Sequence, residues 1–154
     1  MRVILAIDQG TTGTTVAVMN TRGVLLGSVN HEFPQIFPKP GWVEHEPEAI
    51  WKSVLKGIRA VFRKGLCKPA DIACIGITNQ RETALLWERR TGKPVGRAIV
   101  WQCRRTASFC ESLRKKGLEP MVRDRTGLVL DPYFSASKFR WSVSYTHLRA
   151  HETS

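Results

Sequence analysis

An α/β fold, a mixed sheet with an antiparallel β-meander flanked by helices, is what this chain predicts, and three observations carry the prediction. Val3 to Ile7 is an unbroken apolar run of strand length, and two β-branched, alternating segments follow it across short turns. A helical apolar repeat takes over at Pro47, and another apolar strand-like run comes after it. Strands in series, then a helix, then a strand, fit a layered sheet better than a bundle or a sandwich.

Apolar at every position, Val3 to Ile7 reads as a strand covered on both faces, and it ends in Asp8-Gln9-Gly10. Thr14 to Met19 reads as a second strand, Asn20-Thr21-Arg22-Gly23 as a turn and Val24 to Phe33 as a third strand. Pro34 to Pro47 breaks the pattern, with Pro38-Lys39-Pro40-Gly41 holding extended or turn conformations. From Pro47 a helix presents Ile50, Trp51, Val54, Leu55, Ile58, Val61 and Phe62 as its inward stripe, and Gly65 caps it.

Ile72 to Thr78 is expected as a buried strand, Thr83 to Glu88 as a further one, and Arg90-Thr91-Gly92-Lys93-Pro94 as the turn into Val95 to Trp101. Between Arg104 and Lys116, Ala107, Cys110 and Leu113 share one helix face, which leaves Arg104, Arg105, Arg114, Lys115 and Lys116 to a solvated surface. Leu118 to Arg125 forms a short helix that stops at Thr126-Gly127. From Ser142 to Ser154 no helical stripe or alternation continues, so this stretch is expected to pack poorly.

The 154 residues are 42% apolar, enough for a core, which excludes disorder as the default. No apolar run approaches the ~20 residues of a spanning helix, and the start lacks an apolar segment with a small-residue cleavage site; a soluble, cytoplasmic chain is expected. Cys67, Cys74, Cys103 and Cys110 match neither a zinc spacing nor a dense disulfide framework and read as reduced thiols. The formal charge of +11 raises nucleic-acid binding as a competing function. Against it stand positive residues spread over helix faces and the lack of an RNP-like aromatic motif or zinc-finger spacing.

Two loops carry candidate chemistry. Asp8-Gln9-Gly10-Thr11-Thr12-Gly13-Thr14 closes a strand with a carboxylate, then supplies glycines and hydroxyls in a tight turn, as a phosphate site with magnesium requires. It is neither a Walker loop nor a dinucleotide fingerprint, and a hairpin whose glycines serve geometry alone reads equally from it. Asn79-Gln80-Arg81-Glu82-Thr83 puts a forked donor beside an acceptor, a pair able to hold adjacent hydroxyls of a small polyol; a surface salt bridge is the alternative. Trp101 and Tyr133 offer an apolar wall and a phenolic hydrogen bond, or core packing. His45, between Glu44 and Glu46, lacks partners at metal-ligand spacing and is read as structural, with both glutamates complementing the dipole of the next helix.

Taken together, five ordered blocks resemble the amino-terminal part of the glycerol kinase family: Ile7 to Thr12, Pro38 to His45, Gly76 to Thr83, Ile99 to Thr106, and Thr126-Gly127-Leu128 with Asp131-Pro132-Tyr133-Phe134-Ser135. The resemblance runs from Arg2 to Trp141. It implies a ribonuclease-H-like domain of the actin, hexokinase and Hsp70 superfamily, and ATP-dependent phosphorylation of glycerol to sn-glycerol 3-phosphate. By the same resemblance Asp8 serves Mg²⁺, Thr11, Thr12 and Gly13 the nucleotide, Arg81, Glu82 and Tyr133 the glycerol hydroxyls, and Trp101 the apolar side of glycerol.

Where many members carry serines and then an arginine, this chain has Gly13, Thr14 and Thr15. Members also continue into a large second domain, and the aspartate they use as general base comes later than the end of this chain, so residues 1–141 are expected to be an incomplete kinase domain, inactive alone. Residues 142–154 resemble translated sequencing-adapter read-through and are expected to be extraneous. The implied ligands are ATP and glycerol, with no nucleic acid and no membrane, and oligomerisation of the parent protein stays open. Another sugar or polyol kinase of the same group is the alternative reading.

Overall fold

The computed structural model describes residues 2–152, with side chains through residue 144. Its elements are β1 (Val3–Gln9), β2 (Gly13–Asn20), β3 (Leu25–Glu32), β4 (Glu44–His45) and α1 (Pro47–Arg63). A single 3₁₀ turn, Pro69–Asp71, leads into β5 (Ile72–Asn79), and β6 (Ala98–Ile99), α2 (Ala107–Lys115), α3 (Glu119–Thr126) and α4 (Ser135–Glu152) follow. They form two compact units, one of Met1–Gln35 and Glu46–Gln80, the other of Ile36–His45 and Arg81–Ser154.

In the first unit the sheet order is β3-β2-β1-β5, the first three strands antiparallel as expected and β5 parallel to β1. Alternation aims Val3, Leu5 and Ile7 of β1, Val16 and Val18 of β2 and Val29 of β3 into one core with Ala60 and Val61 of α1. Ile4 and Ala6 on the opposite face are half-buried, so β1 has one fully covered face rather than two.

The inward face of α1 follows the predicted stripe in part: Val61 is buried and Val54, Ile58 and Phe62 pack against the core, but small residues share the contact and Trp51 lies outside it. Its buried residues are Pro47, Ser53, Gly57, Ala60 and Val61, whereas Trp51 is 57% exposed. Small residues win because the helix lies close to the sheet: a Cβ on Gly57 would stand 2.5 Å from Val16 Cγ2, and Ser53 Oγ and Thr14 Oγ1 share a 2.6 Å hydrogen bond. At its end Leu66 N–H donates to Val61 O (3.1 Å) and Gly65 N–H to Phe62 O (2.9 Å), with Gly65 at φ +69°. This is the expected glycine cap in its paired form.

β5 corrects a second expectation. Predicted as buried, it pairs with β1 alone and leaves Ile75 at 55% and Ile77 at 74% exposure, an edge strand among the described residues. Apolar composition reports what a strand can bury and not whether a neighbour is there to bury it.

The second unit is poor in regular structure. β4 and β6 pair antiparallel, and bridges join Ile36 to Glu44, Ala84 to Ile99 and Trp87 to Pro94. The strands expected at Thr83 to Glu88 and Val95 to Trp101 thus reduce to isolated bridges and β6, because Pro94 brings no amide and Gly96 little strand preference. The turn between them forms as expected, with Glu88 N–H on Lys93 O and Gly92 at φ +69°.

Helix α2 falls within its predicted span and α3 runs one residue past its own, to Thr126; Cys110 is buried, and Gly127 ends α3 at φ +72°. Arg105, expected in solvent, has a side chain 1% exposed. Its guanidinium carbon lies 4.0 Å from the Trp42 ring centre and 4.6 Å from that of Trp141, and Nη2 donates to Glu44 Oε1 at 2.6 Å. Glu44 therefore pairs with Arg105, with Arg97 at 3.6 Å.

Residues 142–152, where the sequence shows no helical stripe, continue α4, and Val143 is 48% exposed. Packing of the side chains beyond residue 144, and residues 153–154 altogether, lie outside the described residues. All four cysteines are free thiols. No described helix is long and apolar enough to cross a membrane.

Candidate functional site

The phosphate-type loop belongs to the first unit. β1 carries Asp8 to its carboxyl end, where the backbone pairs with Thr15 on one side and Thr78 on the other while the residue stays exposed. Next to it, Gln80 N–H donates to Gln9 O at 2.7 Å and Gln80 Nε2 to Gln9 Oε1 at 3.2 Å, tying the ends of β1 and β5 together. The reversal is tight, with Gly10 N–H on Gly13 O at 2.9 Å. Phe33 N–H donates to Thr12 O and Gln35 Nε2 to Thr11 O, so the segment after β3 fixes the turn from outside.

Neither Gly10 nor Gly13 has a positive φ. What they supply is close approach: a Cβ at Gly13 would meet His31 O at 2.9 Å, and one at Gly10 would lie 3.2 Å from Gly13 O. Backbone packing thus accounts for Gly13 by itself, while Thr11 and Thr12 remain at the rim, half-buried and exposed respectively. At Thr15, Asn30 Nδ2 donates to Oγ1 at 2.9 Å.

No cluster of three or more His, Cys, Asp or Glu side chains among the described residues would cage a metal ion. Magnesium does not require one: it keeps several waters and takes one or two carboxylates together with phosphate oxygens. An exposed strand-end carboxylate beside a backbone turn fits that donor set. His45 is fully buried and its pKa is lowered to about 4 by desolvation, which agrees with a structural imidazole that stays neutral.

The polyol-type residues belong to the second unit. Glu82 adopts φ +63°, a left-handed conformation that costs a non-glycine residue roughly 1 kcal/mol or more. Its carboxylate is anchored: Oε2 accepts from Ser135 N–H at 2.8 Å and Ser135 Oγ–H at 2.7 Å, at the first turn of α4. Oε1 receives no donor among the described residues. Arg81 is exposed and forms no ion pair with Glu82, so the surface salt bridge that competed with ligand binding is not what the pair makes.

Trp101 and Tyr133 meet edge to face, with ring centres 5.7 Å apart, and Trp101 N–H donates to Thr83 Oγ1 at 3.4 Å. Asp131 Oδ1 accepts from Tyr133 N–H at 2.8 Å. Glu82, Trp101 and Tyr133 are thus connected through one network, and Arg81 stands next to it along the chain.

Sequence reasoning misses three contributors. Gln80 enters it only as part of a polar loop and Ser135 only as part of a resemblance block. Lys138 does not enter it at all. It is fully buried, with Nζ donating to Glu82 O at 2.9 Å and to Tyr133 O. Burial lowers its pKa, and Glu82 works in the other direction. A lysine on a helix ordinarily reads as surface, and no local pattern marks this one; the spacing Ser135 to Lys138, one helical turn, is the sole signal that both reach the same loop.

Residues 3–150 match the FGGY family of carbohydrate kinases, N-terminal domain. The glycerol kinase of Ralstonia pickettii (strain 12J) is 54% identical over 145 residues, which cover 94% of this chain and 29% of that protein. The crystal structure of Plasmodium falciparum glycerol kinase with ADP superposes with a TM-score of 0.86 at 34% identity, over 94% of this chain and 29% of that one. A gluconate kinase from Lactobacillus acidophilus matches at TM-score 0.83 and 23% identity, over 91% of this chain and 28% of that one, a likeness of fold alone. The chain therefore spans less than a third of the length of these relatives. The expected ribonuclease-H-like α/β class is borne out by these likenesses.

Proposed function

Because the chain belongs to the FGGY family of carbohydrate kinases, we propose that it serves the ATP-dependent phosphorylation of glycerol to sn-glycerol 3-phosphate. In this reading the first unit takes the phosphate end of the nucleotide and the second takes the polyol. One observation supports it most: Arg81 has no ion-pair partner among the described residues, and it precedes in sequence a glutamate whose Oε2 is held by Ser135, leaving a forked donor and the Oε1 acceptor uncommitted on consecutive residues. Identity of 54% to a glycerol kinase adds to it.

Arg81 donates to one hydroxyl through its guanidinium fork, and Glu82 Oε1 accepts from the next. The phenol of Tyr133 adds a further polar contact, and the indole of Trp101 covers the carbon side of a three-carbon alcohol. Anchoring by Ser135 matters because phosphoryl transfer depends chiefly on alignment of the reacting oxygens, and a carboxylate fixed in advance loses little entropy on binding. On the nucleotide side, Thr11 and Thr12 offer hydroxyls and Gly13 a backbone approach without a side chain. Asp8 would hold Mg²⁺ through its waters; bound there, the ion neutralises phosphate charge.

Titration of glycerol into the chain tests this reading. Binding is expected, and Glu82→Gln is expected to weaken it at least about tenfold, the scale of a hydrogen bond to a charged group. Saturable binding of xylulose or gluconate with none of glycerol would transfer the chain to a sibling kinase. Binding of none of the three would overturn the polyol assignment.

A further inference from the structure

Lys138 is the largest residue buried in full, backbone and side chain, among the described residues, and its ammonium points at backbone rather than at a carboxylate. The two carbonyls it holds belong to Glu82 and Tyr133, 56 and 5 residues away in the sequence. Those are two of the residues assigned above to the hydroxyls of glycerol. One helical turn earlier, Ser135 holds the Glu82 carboxylate. The first turns of α4 thus grip Glu82 at both ends, the carbonyl through Lys138 and the side chain through Ser135, while the same lysine secures the Tyr133 backbone.

A buried lysine is an expensive way to fill space, since an apolar side chain of similar length would fill it without removing a charge from water. Retaining one is understandable where its donors do something a methionine cannot. The Glu82 carbonyl that it meets belongs to a residue at φ +63°, a backbone state needing support from its surroundings. Around the ammonium stand Glu82, Asp131, the Cys103 and Cys110 thiols and the Tyr133 ring, 6.0 Å from Nζ to its centre.

We propose that Lys138 is a positioning residue for polyol binding: it fixes the backbones of Glu82 and Tyr133 relative to each other, so that their side chains meet the hydroxyls of one small polyol without rearrangement. The proposal rests on the polyol reading of this site. It separates from that reading by experiment.

Glycerol and 1,2-propanediol are titrated into the full 154-residue chain, into Lys138→Met and into Lys138→Arg. Wild type is expected to prefer glycerol. Lys138→Met is expected to lose tenfold or more in glycerol affinity and most of that preference while keeping its near-ultraviolet circular dichroism. Lys138→Arg, which keeps charge and donors, is expected to return to within threefold of wild type. Unchanged affinity and preference in folded Lys138→Met overturns the proposal and leaves the polyol reading standing. Absence of glycerol binding by wild type overturns both.

Should Lys138→Met fail to fold, the wild-type ammonium decides. Its protected Nζ resonance, assigned by through-bond nuclear magnetic resonance, is expected to shift on glycerol saturation. A resonance that does not move overturns the proposal.

Discussion

The first unit buries Val3, Leu5, Val16, Val18 and Val61, while the second buries Lys138 and His45 outright and the Arg105 side chain to 1% exposure. One is held by removal of apolar surface from water, which is non-directional and tolerant. The other is held in part by charged and polar groups whose burial stabilises only when every partner is in place. The tolerant unit carries the turn proposed for phosphate. The exacting unit carries the network proposed for the polyol, where a misplaced carboxylate is expected to lose discrimination between similar alcohols.

The sharpest way to break this contrast is Arg105→Met. The substitution keeps volume between Trp42 and Trp141 but leaves Glu44, 13% exposed, without its 2.6 Å partner and with the looser, 47% exposed Arg97 at 3.6 Å. Loss of one member of a buried pair is expected to cost about 3 kcal/mol or more, read by urea unfolding with tryptophan fluorescence. Adding Glu44→Gln is expected to recover part of that loss, since the under-paired charge goes with it. Equal stability of Arg105→Met and wild type would show that the second unit, too, is held by apolar burial.

The same contrast governs what could be read from the chain. β1, β2, β3, the start of α1 and the Gly65 cap follow from periodicity and from turn and cap residues, all local properties, and each was legible within a residue or two. Exposure of β5 was not legible, because Ile72 to Thr78 contains no information on whether a neighbour covers it. Arg105 and Lys138 were illegible for another reason: their burial depends on Trp42, Trp141, Glu82 and Tyr133, partners brought in from distant segments. Within the site, residue types were visible from the two loops and the resemblance, but the anchoring of Glu82 by Ser135 was not.

A smaller effect comes from His45. Unfolded, its imidazole takes a proton near 6.5; folded, burial delays this to about 4. Between those values the unfolded chain binds more protons, so stability is expected to fall as pH drops from 6.5 toward 4 and to level off below. Each tenfold loss of proton affinity on folding is worth about 1.4 kcal/mol, which makes the fall of order 1–3 kcal/mol. His45→Gln is expected to remove this part of the slope in urea unfolding across pH ~4–7, leaving the carboxylate part below about pH 5. An identical slope in the variant would mean that the imidazole is protonated in the folded protein and finds an acceptor there.

The smallest expected effect sharpens the comparison from the tolerant side. Trp51 lies in the apolar stripe that the sequence assigns to the core, yet it is 57% exposed because α1 turns Ser53, Gly57 and Ala60 to the sheet. The closeness of Gly57 to Val16 explains why: a bulky residue at that contact would push the helix off the sheet, so small residues occupy it and the indole is left outside. Trp51→Gln is therefore expected to change unfolding free energy by less than about 0.5 kcal/mol, against about 3–5 kcal/mol for loss of a core tryptophan. A loss near the core value would place the Trp51 side of α1 against the sheet, and with it return the first unit to the packing that periodicity alone describes.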